Sequence, residues 1–420
     1  MPQQETTARR PLDALNFFLA DVRDGLGPYL SIYLLTEQKW DQASIGVVMA
    51  VAAIAGIVAQ TPAGALIDAS KAKRALIVIA AVAVTLASVV LPLITSFAAV
   101  AATQAVAAIA GAVFPPAIAA VTLGIVGPRA FARRIGRNEA FNHAGNAAAA
   151  TLAGIFAYGF GPIVVFWLLA VMALCSILAT LAIPADAIDD AVARGLVSGA
   201  EADHRAGQPS GFTVLLSNKP LLIFAVATVL FHFANAAMLP LVGQKLALAN
   251  KELGTTLMSL CIVAAQLVMV PVAMLVGHKA DVWGRKPIFA VALGVLALRG
   301  ALYPLSDNSY WLVGVQLLDG VGAGIFGALF PLVVADLTRG TGHFNISQGA
   351  IATAAGLGGA LSSAAAGMIV VAAGYSAAFL FLAAVAVAGA ALALFLIAMP
   401  ETAPGGRALV GSKLSAQPSP

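Results

Sequence analysis

Gly277-His278-Lys279-Ala280-Asp281-Val282-Trp283-Gly284-Arg285-Lys286-Pro287 ends one long apolar run and opens the next. A shorter echo stands 213 positions earlier: Gly64-Ala65-Leu66-Ile67-Asp68, followed by Lys73-Arg74, again at the end of an apolar run. Two further pairs keep nearly the same spacing, Pro28 with Pro240 at 212 and Phe114-Pro115 with Phe330-Pro331 at 216. Three anchors at nearly one offset mark an internal duplication.

The runs between these anchors set the fold class. Hydrophobic residues make up 60% of the 420 and charged residues 10%, where soluble domains carry roughly 25% charged. Mean hydropathy is +0.94, and 40 glycines suit helices packed closely in lipid. A spanning helix needs about 20 apolar residues. Runs bounded by charges or turn residues place twelve spans at 12–35, 42–67, 74–96, 98–126, 137–159, 162–183, 219–246, 253–278, 286–305, 310–337, 346–372 and 375–399. The expected fold is an all-α membrane protein with twelve transmembrane helices in two pseudo-symmetric six-helix bundles, 1–183 and 213–400. A cytoplasmic central loop at 184–212 joins them, and a cytoplasmic tail follows at 401–420.

Lysine and arginine mark the cytoplasmic side. With the amino terminus inside, eighteen fall in cytoplasmic segments, and only Lys39, Lys245 and Lys251 fall opposite. Both termini are expected in the cytoplasm, with the chain multi-pass in a bacterial inner membrane. Asp21, Arg23 and Asp24 break the first apolar run, so a cleavable signal sequence is not expected. The basic residues follow the loops and form no soluble patch, which argues against nucleic acid as a partner. Cys175 and Cys261 lie inside apolar runs, so neither a disulfide framework nor a metal site is expected. No Walker-type glycine loop, His-Glu-x-x-His or Gly-x-Ser-x-Gly occurs, and the reading is of a non-enzyme without a cofactor.

The twelve-span plan, the central loop and the Gly-x-x-x-Asp-x-x-Gly-Arg-Lys-Pro signature at 277–287 resemble the major facilitator superfamily of secondary transporters. The resemblance implies a cytoplasmic latch that fastens helix ends when the protein opens outward. Gly64, Asp68, Lys73 and Arg74 would supply one copy, and Gly277, Asp281, Gly284, Arg285 and Lys286 the other. The first copy departs from the pattern at Ala69 and Lys71, so Asp281, with the fuller basic set, is expected to matter more. The family's antiporter signature in the fifth span is partial: Gly145 and Gly154 are present, but Gly161-Pro162 falls late. Gln104 lies in the fourth span, where proton-coupled relatives often place an arginine.

Ionisable groups at mid-bilayer cost at least ~2.5 kcal/mol each and usually serve function. Asp21, Arg23 and Asp24 sit about half-way along a first span of ~20 residues, with Asn16 close to their face. Pro28 has no N–H, which frees the carbonyl of Asp24. This cluster is read as a proton or cation site; a static ion pair fastening two helices is the alternative. In the seventh span, opposite the first by the repeat, His232 and Asn235 share a face with Thr228. His232 is either a proton-exchanging group or a neutral core histidine bonded to a backbone carbonyl. Arg299 and Asp319, both at mid-depth, are expected to pair, and a structural role is favoured. Asn142, His143 and Asn146 form a polar patch in the fifth span. Gln60, Gln104, Gln266, Gln316 and Gln348 are single polar residues in other spans, each more often a helix–helix fastener than a ligand contact.

The function expected from this pattern is secondary active transport of a small solute by alternating access. It is read as proton-coupled, with efflux favoured, a cationic or zwitterionic solute, and a monomer as the working unit. An uptake permease for an organic solute or metal chelate is the rival within transport. A non-transporting membrane receptor or scaffold is the rival outside it. The loop asymmetry is directly testable: single cysteines at Gln4 or Ser412 should resist an impermeant thiol reagent in intact cells. Labelling of either without permeabilisation would reverse the topology.

Overall fold

The bilayer core offers no water to backbone N–H and C=O groups, so spanning segments close their hydrogen bonds within helices. The computed structural model describes residues 2–24, 26, 30, 33–34, 37–40, 42–160, 163–196, 213, 216–249 and 254–391. Among them every regular element is helical. The first half contains α1 (Pro2–Asp24), α2 (Gln42–Ala69), α3 (Lys73–Val89), α4 (Phe97–Gly111), α5 (Phe114–Phe160) and α6 (Val164–Ala182), followed by the single turn α7 (Asp190–Ala193). The second contains α8 (Lys219–Ala236), α9 (Met238–Ala249), α10 (Gly254–Trp283), α11 (Arg285–Leu302), α12 (Ser309–Leu337) and α13 (Phe344–Ala391).

Polar side chains set several of the starts by accepting otherwise orphaned N–H groups. Ser96 Oγ accepts from Ala99 N–H at 3.3 Å before α4. Asn308 Oδ1 accepts from Tyr310 and Trp311 N–H at 2.8 and 3.3 Å before α12. Asn218 caps α8, where Pro220 occupies the first turn.

Helices α5 and α13 run to 47 and 48 residues, about twice what a ~30 Å hydrocarbon core requires. Each is broken once by a glycine in the left-handed region, Gly127 (φ 68°) ahead of Pro128 and Gly374 (φ 83°). These breaks fall where the sequence places the turns between spans four and five and between spans eleven and twelve. Among the described residues, nine helices are long and apolar enough to cross a membrane, and the stretches Phe97–Ala153 and Phe344–Ala391 each cover two expected spans. The first expected span is not among the nine. Only its first half lies within α1, where Asp13, Asp21, Arg23 and Asp24 interrupt the apolar residues, and most of 25–35 lies outside the described residues. The expected tail, the end of the twelfth span and 197–212 of the central loop lie outside the described residues.

The described residues fall into two compact units. The first is drawn from Met1–Phe131, Phe141–Gly211 and Arg339–Thr353, the second from Ala132–Ala140, Phe212–Thr338 and Ala354–Pro420. The division departs from the sequence halves at two places, where the starts of spans five and eleven are exchanged. Packing repeats between the units: α2 lies on α4 and α3 on α4 in the first, as α10 lies on α12 and α11 on α12 in the second. The first unit's core holds Leu12, Leu15, Leu19, Ile77, Phe114 and Met172. The second is built round stacked and edge-on rings of Phe224, Phe231, Phe289, Phe326 and Phe330. Ile54 and Val58, like Leu174 and Leu178, stand exposed at four-residue spacing, as lipid-facing stripes do.

Two glycine seams bring helices to backbone contact. In the first unit a Cβ on Gly64 would lie 2.2 Å from the carbonyl oxygen of Asn345, and one on Gly349 would lie 2.1 Å from that of Gln60. Thr61 and Thr353 hydroxyls meet at 2.9 Å along the same seam. In the second unit Gly136 and Gly277 face each other, and a Cβ on Gly277 would lie 2.7 Å from Gly136 Cα. The pairs are related by the repeat, since both Gly64→Gly277 and Gly136→Gly349 in sequence order span 213 positions. Because backbone cannot swing aside as a side chain does, the substitution Gly64→Ala should destabilise the folded protein by about 1–3 kcal/mol. Gly294→Ala, where a Cβ meets nothing within 4 Å, should stabilise or leave stability within about 1 kcal/mol. Thermal melting in detergent compares them, and equal melting temperatures would contradict the seam.

Candidate functional site

Asp68 lies on the last turn of α2 and is 2% exposed. Its partners come from the start of α13, 277 residues away. Oδ1 accepts from the Asn345 side-chain Nδ2 at 2.8 Å and from Asn345 N–H at 3.3 Å, and Oδ2 accepts from Ile346 N–H at 2.8 Å. The first four N–H groups of a helix lack intrahelical partners. Here His343 N–H donates to Thr341 Oγ1, Phe344 N–H to Arg194 O, and Asn345 and Ile346 N–H to Asp68, so all four are satisfied before Ser347 N–H makes the helix's own first bond to His343 O. A carboxylate at this end also meets the positive end of the helix dipole. All of these residues belong to the first unit.

The basic residues that follow Asp68 do other work. Lys73 Nζ, 1% exposed, meets Asp190 at 2.8 Å. Arg74 donates to Leu181 O and Thr180 O at 2.8 and 3.3 Å, closing the carboxyl end of α6. In the second copy Asp281 is 39% exposed and meets Arg285 one turn on at 2.8 Å, while Arg285 also reaches Asp336 at 3.2 Å. Gly284 (φ 89°) turns the chain into α11 between them. The buried, multiply bonded carboxylate therefore belongs to the first copy, although the fuller basic set belongs to the second.

The cause is where the partner helix begins. Asn345 corresponds through the 213-residue offset to Ala132. Helix α5 resumes directly after Gly127, so the N–H groups near Ala132 are already inside a helix. Helix α13 starts only at Phe344, which corresponds to Phe131, and leaves its first N–H groups for Asp68. Asn345 was not singled out from the sequence. The signal was present in the repeat itself, which aligns Gly136 with Gly349 and directs attention to the residues one turn before each.

In the first span Asn16 is buried and donates Nδ2 to Leu12 O at 2.7 Å, one turn back. Asp21 and Arg23 are half-buried. The side chain of Asp24, and all of Gly25, Gly27 and Pro28, lie outside the described residues. The helix seats on the fifth span at Gly145, where a Cβ would lie 2.0 Å from Phe17 O. His143 is buried and Asn142 and Asn146 are half-buried, and at 3.6 residues per turn His143 points about 160° away from Gly145 and its contact with α1.

In the seventh span His232 Nδ1 lies 3.0 Å from Thr228 O, one turn back, and the ring stands edge-on to Phe326 at 4.8 Å. The carbonyl can only accept, so Nδ1 carries the hydrogen of this bond. Asn235 is half-buried one turn further on. Arg299 and Asp319 meet through Nη1 and Oδ1, with Arg299 1% exposed. Gln316 Nε2 donates to Asp319 Oδ2 at 2.8 Å, Tyr303 OH donates to Gln316 Oε1, and the guanidinium stands 6.0 Å from the Tyr303 ring centroid. Arg299 Nε also reaches the Met238 sulfur at 3.3 Å.

The single glutamines divide by environment. Gln348 donates to Asn345 Oδ1 at 3.3 Å and so braces the partner of Asp68. Gln60 Oε1 on α2 and Gln104 Nε2 on α4 are buried with no hydrogen-bond partner among the described residues. Gln266 is half-buried on α10. No group of three or more His, Cys, Asp or Glu placed to hold a metal occurs among the described residues.

The family model of the Major Facilitator Superfamily matches residues 13–298 and 246–418. An uncharacterized MFS-type transporter of Mycobacterium tuberculosis, in strains CDC 1551 / Oshkosh and ATCC 25618 / H37Rv, is 66% identical over 397 residues, covering 94% of this chain and 93% of the relative. Among solved structures, the nucleoside transporter NupG aligns with a TM-score of 0.64 at 16% identity, covering 93% of this chain and 100% of that one. The human organic anion transporter MFSD10 (TETRAN) aligns at 0.66 and 16%, covering 93% and 99%. At that identity the two structures speak to fold alone.

The Arg299–Asp319 pair generates a stability test. Removing one partner leaves a buried charge alone, which costs about 3–5 kcal/mol, whereas an apolar double replacement is often near neutral. Arg299→Leu and Asp319→Leu should each lower the melting temperature strongly, and the double variant should recover most of the loss. Additive losses in the double variant would contradict the pairing.

Proposed function

The chain belongs to the Major Facilitator Superfamily, and from that premise we propose that it moves a small solute by alternating access, with protons as the driving ion. The observation that carries the reading is the Asp68 seat. It fastens the end of α2 to the start of α13 by hydrogen bonds and a helix dipole, with the Arg194 charge acting on the same carboxylate. A polar fastening of this kind breaks and reforms without unfolding either helix. We assign the latch to Asp68, with Gly64, Asn345 and Gly349 setting its fit, and give Asp281, Gly277, Arg285 and Lys286 a local role in shaping the second loop.

Proton coupling is assigned to Asp21 and Asp24, with Arg23 as the balancing cation. Two carboxylates and one cation within one turn leave one negative charge in excess, and an intramembrane acid is costly unless it binds a proton or a cation. That excess favours a cationic or zwitterionic solute. His232 and Asn235 are assigned to the cavity wall, since the His232 Nδ1 proton is held by the Thr228 carbonyl. The open polar atoms of Gln60 and Gln104 are assigned to solute contact. The working unit is a monomer in the inner membrane, with both termini cytoplasmic, bundles at 1–183 and 213–400, and export favoured over uptake.

Proteoliposomes holding the purified chain and a fluorescent organic cation, with an imposed pH gradient, test this reading. The wild type should move the cation against its gradient. Asp24→Asn should abolish gradient-driven movement and retain at least part of the exchange without a gradient, and Asp21→Asn should be milder. Full gradient-driven accumulation by the Asp21→Asn/Asp24→Asn double variant would sink the assignment.

A further inference from the structure

The central loop begins with a segment, Asp189–Leu196, that the repeated signature does not include and the transport reading does not use. It is tied into the first unit on two sides. On one side, Lys73 Nζ holds Asp190 at 2.8 Å and Ser70 O at 2.8 Å, with Lys73 1% exposed. Asp189 N–H donates to Gly124 O at 3.1 Å, while the Asp189 carboxylate accepts from Ala191 and Val192 N–H at 3.0 Å each.

On the other side, three consecutive carbonyls face the turn that leads into α13. Ala193 O accepts from Asn345 Nδ2 at 3.1 Å, Arg194 O from Phe344 N–H at 3.4 Å, and Gly195 O from Gly340 N–H. Leu196 lies under the same turn, within 3.4 Å of where a Cβ on Gly342 would stand. Asn345 thus bridges two acceptors, giving its side chain to both Asp68 and Ala193. A segment that only tethered two halves would need none of these bonds. Each exposed backbone acceptor is equally well served by water, so three in succession on one turn mark a specific seat.

We propose that Asp189–Leu196 is a strap, anchored on α3 by the Lys73–Asp190 ion pair, that holds the 340–345 turn in place for Asp68. The strap and Asp68 grip the same helix start from different helices, so the cytoplasmic end of α13 is released only when both let go. Its consequence for solute movement rests on the alternating-access reading, but the strap itself is measurable without a solute.

Amide hydrogen exchange of the full chain in lipid nanodiscs tests it. Asp190→Asn and Lys73→Met should each speed exchange in the peptide covering 339–346 by about tenfold, the scale of losing a small set of cooperative hydrogen bonds. Asp68→Asn should speed exchange at 345–346 while Gly340 stays protected by the strap. Leu196→Ala, which keeps the ion pair and removes only the contact with the turn, should act in the same direction. It serves as the second variant if loss of Lys73 impairs folding. Faster exchange confined to 189–196, with 339–346 as in the wild type, would overturn the strap. Faster exchange at 339–346 with unaltered solute flux would uphold the strap and remove it from solute movement, whereas no flux in the parent chain would count against the transport reading, so the two fail separately.

Discussion

Asp68 accepting the first free N–H groups of α13 is the contact that joins the end of α2 to the start of α13 in the first unit. A helix start carries unsatisfied donors and the positive end of a dipole, and a carboxylate answers both at once. The seam beneath it makes the contact possible, because side chains at Gly64 or Gly349 would hold the two backbones apart. The side chain of Asn345 then extends the contact to the central loop, and Gln348 braces Asn345 from the next turn. Apolar packing accompanies the assembly, since Phe344 is fully buried with its ring edge-on to Phe131. The fastening itself consists of directional polar bonds over a small, smooth contact.

The second unit treats buried charge differently. Arg299, Asp319, Gln316 and Tyr303 form a chain of polar contacts in which both oxygens of Asp319 find donors, while Arg299 Nη2 is buried with no hydrogen-bond partner among the described residues. The glycines beside them let neighbouring helices close on the pair. A Cβ on Gly300 would lie 3.0 Å from Phe379 O, and one on Gly320 would lie 2.5 Å from Ala265 O. Such a chain of contacts holds helices in register, whereas the Asp68 seat joins the end of one helix to the start of another.

Much of this was legible in the sequence, and the exceptions have physical causes. The duplication, the all-helical membrane character, the approach of Arg299 to Asp319 and the placement of Asp68 at a helix end follow from spacing and composition. The partner of Asp68 did not, because it depends on where a helix begins. Gly127-Pro128 starts one helix three residues earlier, by the repeat, than Gly340-Thr341-Gly342-His343 starts its counterpart, and periodicity fixes no boundary that finely. Nearby cations do not mark the more fully bonded copy, since Lys73 and Arg74 turn to Asp190 and to the end of α6. The strap was hidden for a related reason. Its acceptors are backbone carbonyls, which every residue carries.

The central claim is that Asp68 fastens the start of α13 and that this fastening opens. Spin labels at Lys71→Cys and Thr341→Cys, both exposed positions, report it most directly in a chain with Cys175 and Cys261 replaced by alanine. In lipid, the pulsed dipolar distance distribution should contain a short population in the parent chain. Asp68→Asn should shift weight to a longer one. Identical distributions with and without the Asp68 carboxylate would contradict the account.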